Sequence, residues 1–232
     1  MKRGFIRGLW GVYDNSTRIM QRRSKIDNDI DRILSNKVGE KFITYVFGQD
    51  NYNMLTNKGL DCVLIDKNPA PFDQQKFVYR HKMELIRYAM EEDGHDEIIY
   101  LDWDCVPEKT LSSDFWDNLG KREPFQACLQ AYKRHNKCLW RKEAKNIVPN
   151  GGFLYLRDKT YPNKGIKCWE NEMPLQDNDE PAWAKMLDNL NSGWIGYEKY
   201  WNMYEAMNCR LRRGSPFSDK LSQKDIYFTH YI

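Results

Sequence analysis

Two aspartates one residue apart, Asp102 and Asp104, are the side chains whose spacing points most directly to chemistry. They flank Trp103 and end an apolar segment that begins at Glu97. Two carboxylates at the end of a strand can converge on a hard cation, which accepts oxygen ligands and retains some of its waters. Mg²⁺ or Mn²⁺ bridging to phosphates is the usual use of this arrangement. A bare Asp-x-Asp also arises by chance, and the two residues could instead only cap the segment that follows.

The elements around this pair favour the metal interpretation. Apolar runs alternate with helical patterns along the chain, which predicts an α/β layer fold. Segments of β-branched and aromatic residues bounded by Gly, Asp, Asn or Pro predict seven strands. These are Gly4–Trp10, Lys41–Phe47, Cys62–Ile65, Glu97–Leu101, Gln126–Ala131, Gly152–Leu156 and Ile226–Thr229. In open α/β sheets, ligands bind beyond the C-terminal ends of the strands, which is where Asp102 and Asp104 fall.

Helical periodicity is strongest from Gln74 to Glu91, immediately before the strand that leads to Asp102. Apolar side chains share one face of this predicted helix, and charged side chains, including Glu84, share the opposite face. Asp73 is placed to cap its start, and Gly94 follows its end. Other helices are predicted at Ser24–Leu34, Ser113–Leu119 and Glu180–Leu190. The stretch Tyr161–Asn178, rich in Pro, Asn, Gly and charge, is predicted to be a long loop.

The composition fits one domain over residues 1–232. Charged residues are 30% and hydrophobic residues 41%, and no repeat or low-complexity linker divides the chain. A net charge of +3 is too small to predict nucleic-acid binding. The six cysteines form no C-x-x-C pair and are expected to be reduced. We recognise no signal peptide and no run of about 18 apolar residues that could span a membrane. We therefore expect a cytoplasmic protein, which suits a bacterial or viral origin.

The order of the predicted elements resembles that of GT-A glycosyltransferases, which use nucleotide-diphospho-sugars. That family has a nucleotide-binding N-terminal strand, a strand ending in Asp-x-Asp near the middle of the sheet, and a later strand on the acceptor side. The resemblance runs over essentially the whole chain, and Asp102 and Asp104 match the Asp-x-Asp motif. It implies a Rossmann-like mixed sheet flanked by helices and a Mn²⁺ or Mg²⁺ cofactor. The implied reaction moves a sugar from a nucleoside diphosphate, with uridine the favoured base, to the hydroxyl of a glycan or another acceptor.

The resemblance also implies which residues contact the nucleotide-sugar. The segment after the first strand lies where this fold contacts the base and ribose, and its glycines permit close backbone approach. It contributes Gly8, Leu9, Trp10, Gly11 and Tyr13, of which Trp10 or Tyr13 would stack on the base. Asn150, Gly151 and Gly152 resemble the small-residue turn beside the donor sugar, and Trp103 lies within the motif itself. Packing would explain the aromatic residues equally well, and a hairpin or bulge would explain the glycines.

Three further assignments rest on the same resemblance. Asp179 and Glu180 match an acidic helix start that supplies the catalytic base in inverting members, or they serve only the cap and the helix dipole. His230 matches a C-terminal metal ligand, because the apolar residues before it predict a docked tail; an incidental, exposed histidine is the alternative. Lys82, on the long helix, is within reach of the diphosphate or is a solvated charge.

Two other functions stay open at this point. The segment from Tyr100 to Val106 superficially matches the motif of HAD-type phosphatases, in which Asp102 would be the nucleophile. That family places its motif on the first strand, whereas at least three predicted strands precede Asp102. The second alternative is a non-catalytic module that binds a nucleotide-sugar.

Overall fold

The computed structural model describes residues 1–10, 17–36, 38, 40–66, 80–121, 124–131, 147–172, 207–209 and 228–230. Within these residues the strands are β1 (Arg3–Leu9), β2 (Phe42–Phe47), β3 (Cys62–Ile65), β4 (Glu97–Leu101), β5 (Cys105–Pro107), β6 (Phe125–Ala131), β7 (Ile147–Leu156), β8 (Met207–Cys209) and β9 (Phe228–His230). The helices are α1 (Thr17–Ser35), α2 (Gln49–Asn57), α3 (Arg80–Glu91), α4 (Ser113–Gly120) and α5 (Thr160–Glu172).

Six of the strands form one mixed sheet in the order β3-β2-β1-β4-β7-β6. The first four strands along the chain are parallel to one another, and β7 is antiparallel to both of its neighbours. The remaining strands form a small sheet in the order β5-β9-β8. The predicted fold class, a Rossmann-like mixed α/β sheet flanked by helices, is confirmed; one domain over residues 1–232 stays a prediction.

Most of the sheet was predictable from its apolar runs. The bounds of β3 and β4 agree with the prediction residue for residue, and those of β1, β2 and β6 agree to within one residue at each end. Strand β7 begins five residues earlier than predicted, at Ile147, and the described strand β9, Phe228–His230, extends one residue past the predicted end at Thr229. The predicted residues 226 and 227 lie outside the described residues. Strands β5 and β8 were not predicted.

The helices agree less closely with the prediction. Helix α1 begins seven residues before the predicted start at Ser24, and α2 was not predicted. The prediction of a loop over Tyr161–Asn178 is wrong for residues 161–172, which belong to α5. The predicted start of α3, with its cap at Asp73, and the predicted helix Glu180–Leu190 lie outside the described residues. No described helix combines the length and the apolar character needed to cross a membrane.

Helix α3 packs between the sheet and α5, and this placement buries nearly all of its first two turns. Met83, Ile86 and Met90 join the main core, as their spacing predicted. Glu84, on the predicted charged face, is nevertheless buried, and its carboxylate lies between Arg80 (3.1 Å) and Arg87 (2.7 Å). Burial raises the pKa of Glu84, and the two arginines oppose that rise.

A candidate donor and metal site at the edge of the sheet

The order in which strands are added to the sheet reverses between β1 and β4. From β1 the chain builds outward through β2 and β3, and it then returns to place β4 on the other side of β1. Ligands in open α/β sheets bind in the crevice at such a switch point, beyond the C-terminal ends of the strands. The C-terminal end of β1 at Leu9 and the turn after Leu101 lie at this edge. The topology therefore brings together the end of the first strand and the acidic motif.

The turn between β4 and β5 carries both aspartates. The amide of Cys105 donates to the carbonyl of Asp102 at 3.0 Å, which closes the turn around Trp103 and Asp104. The Asp102 carboxylate, 33% exposed, accepts from the Tyr100 hydroxyl at 2.7 Å. Asp104 is half-buried. Both aspartates thus belong to one tight turn at the C-terminal edge of the parallel strands.

Lys82 is the third charged group of this edge, and it is not solvated. Its side chain is only 3% exposed, and its Nζ lies 3.2 Å from Oδ1 and 3.4 Å from Oδ2 of Asp102. The same ammonium donates to the Gly151 carbonyl at 3.1 Å and lies 5.2 Å from the centre of the Tyr100 ring. The alternative of a solvated lysine is therefore wrong. The ammonium reaches the acidic motif, and contact with a diphosphate stays a prediction.

Gly151 and Gly152 lie beside the same carboxylate. The carbonyl of Gly152 accepts from the Asp102 amide at 3.0 Å. The pairing of β6 with β7 shifts here, since Ala127 is opposite Leu154 and the next residue, Cys128, is opposite Asn150. This bulge is one of the two explanations that the sequence offered for the glycines. It also places them against Asp102 and Lys82, while the Asn150 side chain lies outside the described part of the chain.

A hydrogen bond between Trp103 and Gly8 connects the turn after β4 to β1. The indole Nε1 of Trp103 donates to the Gly8 carbonyl at 2.7 Å, and the ring is 9% exposed in a cluster with Leu9, Val46 and Leu55. A Cβ on Gly8 would lie 2.0 Å from a methyl carbon of Leu85, so this glycine allows α3 to approach β1. Packing therefore accounts for Trp103, Gly8 and Leu9, and contact of these three residues with a donor stays a prediction.

The remaining predicted residues are placed only in part. Trp10 is partly buried against the main core at the end of β1. The register of the small sheet sets His230 opposite Cys105, the residue after Asp104, and directly paired antiparallel residues have Cα atoms about 4.5–5.5 Å apart. Phe228 is fully buried, 5.4 Å from the Phe153 ring, which confirms the docked tail. The side chain of His230, together with Gly11, Tyr13, Asp179 and Glu180, lies outside the described residues.

The donor atoms at this edge fit a hard divalent cation. Mg²⁺ and Mn²⁺ prefer carboxylate oxygens and bind through one or two of them together with phosphates and waters. An ionised carboxylate accepts at about four lone-pair sites, so the contacts of Asp102 with Tyr100 and Lys82 are compatible with metal ligation. Among the described side chains, no group of three His, Cys, Asp or Glu residues could hold a metal ion. A third protein ligand would therefore come from outside that set.

Sequence reasoning missed Arg7, which lies beneath the turn. Its side chain is 1% exposed, and its Nη2 donates to the Cys105 carbonyl at 2.7 Å. Burial lowers the pKa of Arg7 to about 10, which leaves the guanidinium protonated at neutral pH. The signal was present in the sequence, because an arginine interrupts the otherwise apolar strand Phe5-Ile6-Arg7-Gly8-Leu9.

Comparison with known proteins gives a structural likeness without a sequence family. No protein-family model matches the sequence, and no curated protein matches it. The apo structure of WbbM, a bifunctional glycosyltransferase, covers 99% of this chain at 10% identity with a TM-score of 0.50. The galactosyltransferase LgtC, in complex with donor and acceptor sugar analogues, covers 98% at 13% identity with a TM-score of 0.49. GlyE of Streptococcus pneumoniae TIGR4 covers 100% at 14% identity with a TM-score of 0.45.

The chain spans 45% of the WbbM chain, 54% of the GlyE chain and 86% of the LgtC chain. At these identities the likeness to WbbM shows a shared fold and nothing finer. The chain has a GT-A-like fold of the kind found in glycosyltransferases.

Proposed function

We propose that this protein transfers a sugar from a nucleoside diphosphate to an acceptor hydroxyl, with the help of a divalent metal ion. The observation that carries the proposal is the position of the Asp102–Asp104 turn, at the β1/β4 switch point of a fold that glycosyltransferases share. A carboxylate pair in that crevice is where a metal-bound diphosphate would sit. We propose uridine as the base because it is the base implied by the family resemblance.

Asp102 and Asp104 would hold Mn²⁺ or Mg²⁺, with His230 as the third protein ligand. The pairing of His230 with Cys105 supports this set, since it brings the backbone of the third residue next to the turn. When bound, the ion neutralises charge that develops on the departing diphosphate. The Lys82 ammonium, held against Asp102 by its contact with the Gly151 carbonyl, adds a fixed positive charge at the same edge.

The donor would lie across the C-terminal end of β1 and the bulge of β7. Gly8, Leu9, Trp10, Gly11 and Tyr13 are proposed for the base and ribose, and Asn150, Gly151, Gly152 and Trp103 for the diphosphate and the sugar. Support comes from the hydrogen bonds that tie Gly8 to Trp103 and Gly152 to Asp102, because they make one continuous edge of these segments.

The acceptor would be activated by Asp179 or Glu180. In an inverting reaction, one of these carboxylates takes the proton of the acceptor hydroxyl as its oxygen bonds to the anomeric carbon, and the bond from that carbon to the diphosphate breaks. In a retaining reaction, the same carboxylate would orient the acceptor.

The proposal is tested by donor turnover. UDP-sugars are incubated with the protein in Mn²⁺ or in excess chelator, and release of UDP is measured for the parent, Asp104→Asn and Asp31→Asn. Asp31 is an exposed aspartate of α1 and serves as the matched control. We expect Mn²⁺-dependent release in the parent and the control, and its loss in Asp104→Asn. Undiminished metal-dependent turnover in Asp104→Asn would refute the assignment.

Two other outcomes identify the alternative functions. A fluoroberyllate adduct on Asp102, which mimics an aspartyl phosphate, would identify a phosphatase. Binding of UDP without turnover over a broad acceptor panel would identify a non-catalytic module.

A further inference from the structure

Arg7 is a charged residue in a position that an apolar side chain would normally fill. It lies in β1, the strand next to β4, and its side chain is 1% exposed. Replacing a buried ionic group by a well-packed apolar side chain is often neutral or stabilising. A cation that stays protonated in such a place therefore calls for a role other than general stability.

The guanidinium is held in one orientation. It lies over the Phe42 ring at 4.1 Å from the ring centre, and its Nη2 donates to the Cys105 carbonyl at 2.7 Å. Its Nε and Nη1 atoms have no hydrogen-bond partner within the described part of the chain. Among the described residues, the hydrogen bond of this side chain therefore goes to the backbone of Cys105, the residue that follows Asp104.

Strand β1 fixes the acidic turn on both sides of Asp104. Before it, the Trp103 indole donates to the Gly8 carbonyl; after it, Arg7 holds the Cys105 carbonyl. The Cys105 amide is also engaged, because it donates to the Asp102 carbonyl. With both neighbours of Asp104 tied to one strand, those two bonds hold the backbone from which the Asp104 side chain leaves the turn.

We propose that Arg7 is a positioning residue that sets the direction of the Asp104 carboxylate by holding the Cys105 carbonyl from beneath the turn. The inference rests on the proposed function, in which Asp104 is a metal ligand. Groups that orient metal ligands through hydrogen bonds alter metal affinity by about 10- to 100-fold when they are removed. The guanidinium is suited to this task because its central carbon lies over the Phe42 ring while its Nη2 reaches the carbonyl.

The test is Mn²⁺ binding to the full chain without nucleotide, followed by the EPR signals of free and bound ion. Arg7→Met keeps most of the stem and removes the donor. Arg3→Met is the matched control, because Arg3 lies on the same face of β1, four residues earlier, and bonds to Glu97 and Asp117 instead. Circular dichroism verifies that each variant is folded.

We expect Arg7→Met to bind Mn²⁺ about 10- to 100-fold more weakly than the parent, with an altered EPR spectrum of the bound ion. Arg3→Met should keep the affinity and the spectrum of the parent. A merely structural role of Arg7 would leave the spectrum of the bound ion unchanged. If Arg7→Met does not fold, Arg7→Lys decides, because an ammonium cannot both lie flat on Phe42 and reach the carbonyl; we expect about 10-fold weaker binding.

Parental affinity in Arg7→Met, or in Arg7→Lys where that variant decides, overturns the positioning role. The proposed function still stands in that case if, in the same assay, the parent binds Mn²⁺ and Asp104→Asn does not. A parent protein that binds no Mn²⁺ overturns the metal half of the proposed function and the Arg7 inference together.

Discussion

Replacing Lys82 by methionine tests the geometry of the acidic edge without any substrate. Methionine keeps the length of the buried stem and removes the ammonium that lies 3.2 Å and 3.4 Å from the two Asp102 oxygens. It also removes the donor to the Gly151 carbonyl at 3.1 Å. The variant therefore leaves a carboxylate and a carbonyl without the cation that they share in the parent.

The expected loss of stability in Lys82→Met follows from the burial of the ion pair between Lys82 and Asp102. Removing one partner of a fully buried ion pair destabilises a protein by about 3–5 kcal/mol. Here the Asp102 side chain is 33% exposed, so water compensates in part, and we expect a loss of about 2–3 kcal/mol in the free energy of unfolding. For a chain of 150–250 residues, each kcal/mol lowers the melting temperature by about 2–4 °C, which gives a decrease of about 4–12 °C.

The assay is thermal unfolding in excess chelator, with Lys41→Met as the matched control. Lys41 also pairs with an aspartate, Asp61 at 3.0 Å, but the two side chains are 83% and 59% exposed. Exposed pairs contribute about 0–1 kcal/mol, so the control should melt close to the parent. Added Mn²⁺ should raise the melting temperature of Lys82→Met more than that of the parent, because the ion restores positive charge beside Asp102. A Lys82→Met melting temperature equal to that of the control would refute the buried ion pair.

Three other predictions concern packing, pH and hydrogen bonding. Gly8→Ala should lower the free energy of unfolding in urea by about 1–3 kcal/mol, because the added Cβ would lie 2.0 Å from Leu85. The double variant Gly8→Ala with Leu85→Ala should lose less stability than the sum of the two single losses. Strictly additive losses would contradict the close approach of Gly8 and Leu85. Burial lowers the pKa of His81 to about 4 in the folded protein, whereas it is about 6.5 in an unfolded chain. Between these pH values the unfolded chain binds the proton more readily, so the free energy of unfolding should fall by up to about 3 kcal/mol as the pH decreases from 6.5 towards 4. His81→Gln should flatten this pH dependence of the urea midpoint, and an unchanged slope would show that His81 does not titrate in this way. Tyr155→Phe should cost about 1–3 kcal/mol, since the hydroxyl donates to the buried Glu97 carboxylate at 3.1 Å; a urea midpoint equal to that of the parent would exclude that bond.

The sequence predicted β4, the strand that leads into the acidic turn, because it is a continuous apolar run between Glu97 and Asp102. Glu97–Leu101 is buried at all five positions, as a parallel strand covered on both faces should be. The acidic turn follows directly from that strand. The sequence pattern therefore predicted the position of Asp102 and Asp104 at the C-terminal end of β4.

Tertiary contacts account for what the sequence did not predict. Helix α5 contains Pro162 and Gly165, whose composition suggested a loop, yet proline is tolerated in a first helical turn. Asp158 accepts from the Thr160 amide at 2.8 Å at its start, and Ile166 packs into the main core. The three-residue strands β5 and β9 exist through pairing with each other across more than a hundred residues, which leaves no local pattern.

The environment of Lys82 also could not be predicted from the sequence. A lysine in an amphipathic helix has the same local pattern whether it faces water or a carboxylate. Its burial depends on the Gly151 carbonyl, in β7, and on Asp102, in the turn after β4. The same holds for Arg7, whose partner Cys105 is distant in sequence.

The most direct test of the central claim is calorimetric binding of UDP in the presence and absence of Mn²⁺, for the parent and Asp104→Asn. The acidic turn is proposed to bind a diphosphate through a metal ion, so the parent should bind UDP tightly only with Mn²⁺. Asp104→Asn should lose that dependence, and the exposed-site variant Asp31→Asn should keep it. UDP affinity that is equal with and without Mn²⁺ in the parent, or Mn²⁺ dependence that survives in Asp104→Asn, would contradict the assignment of this turn as the metal and diphosphate site.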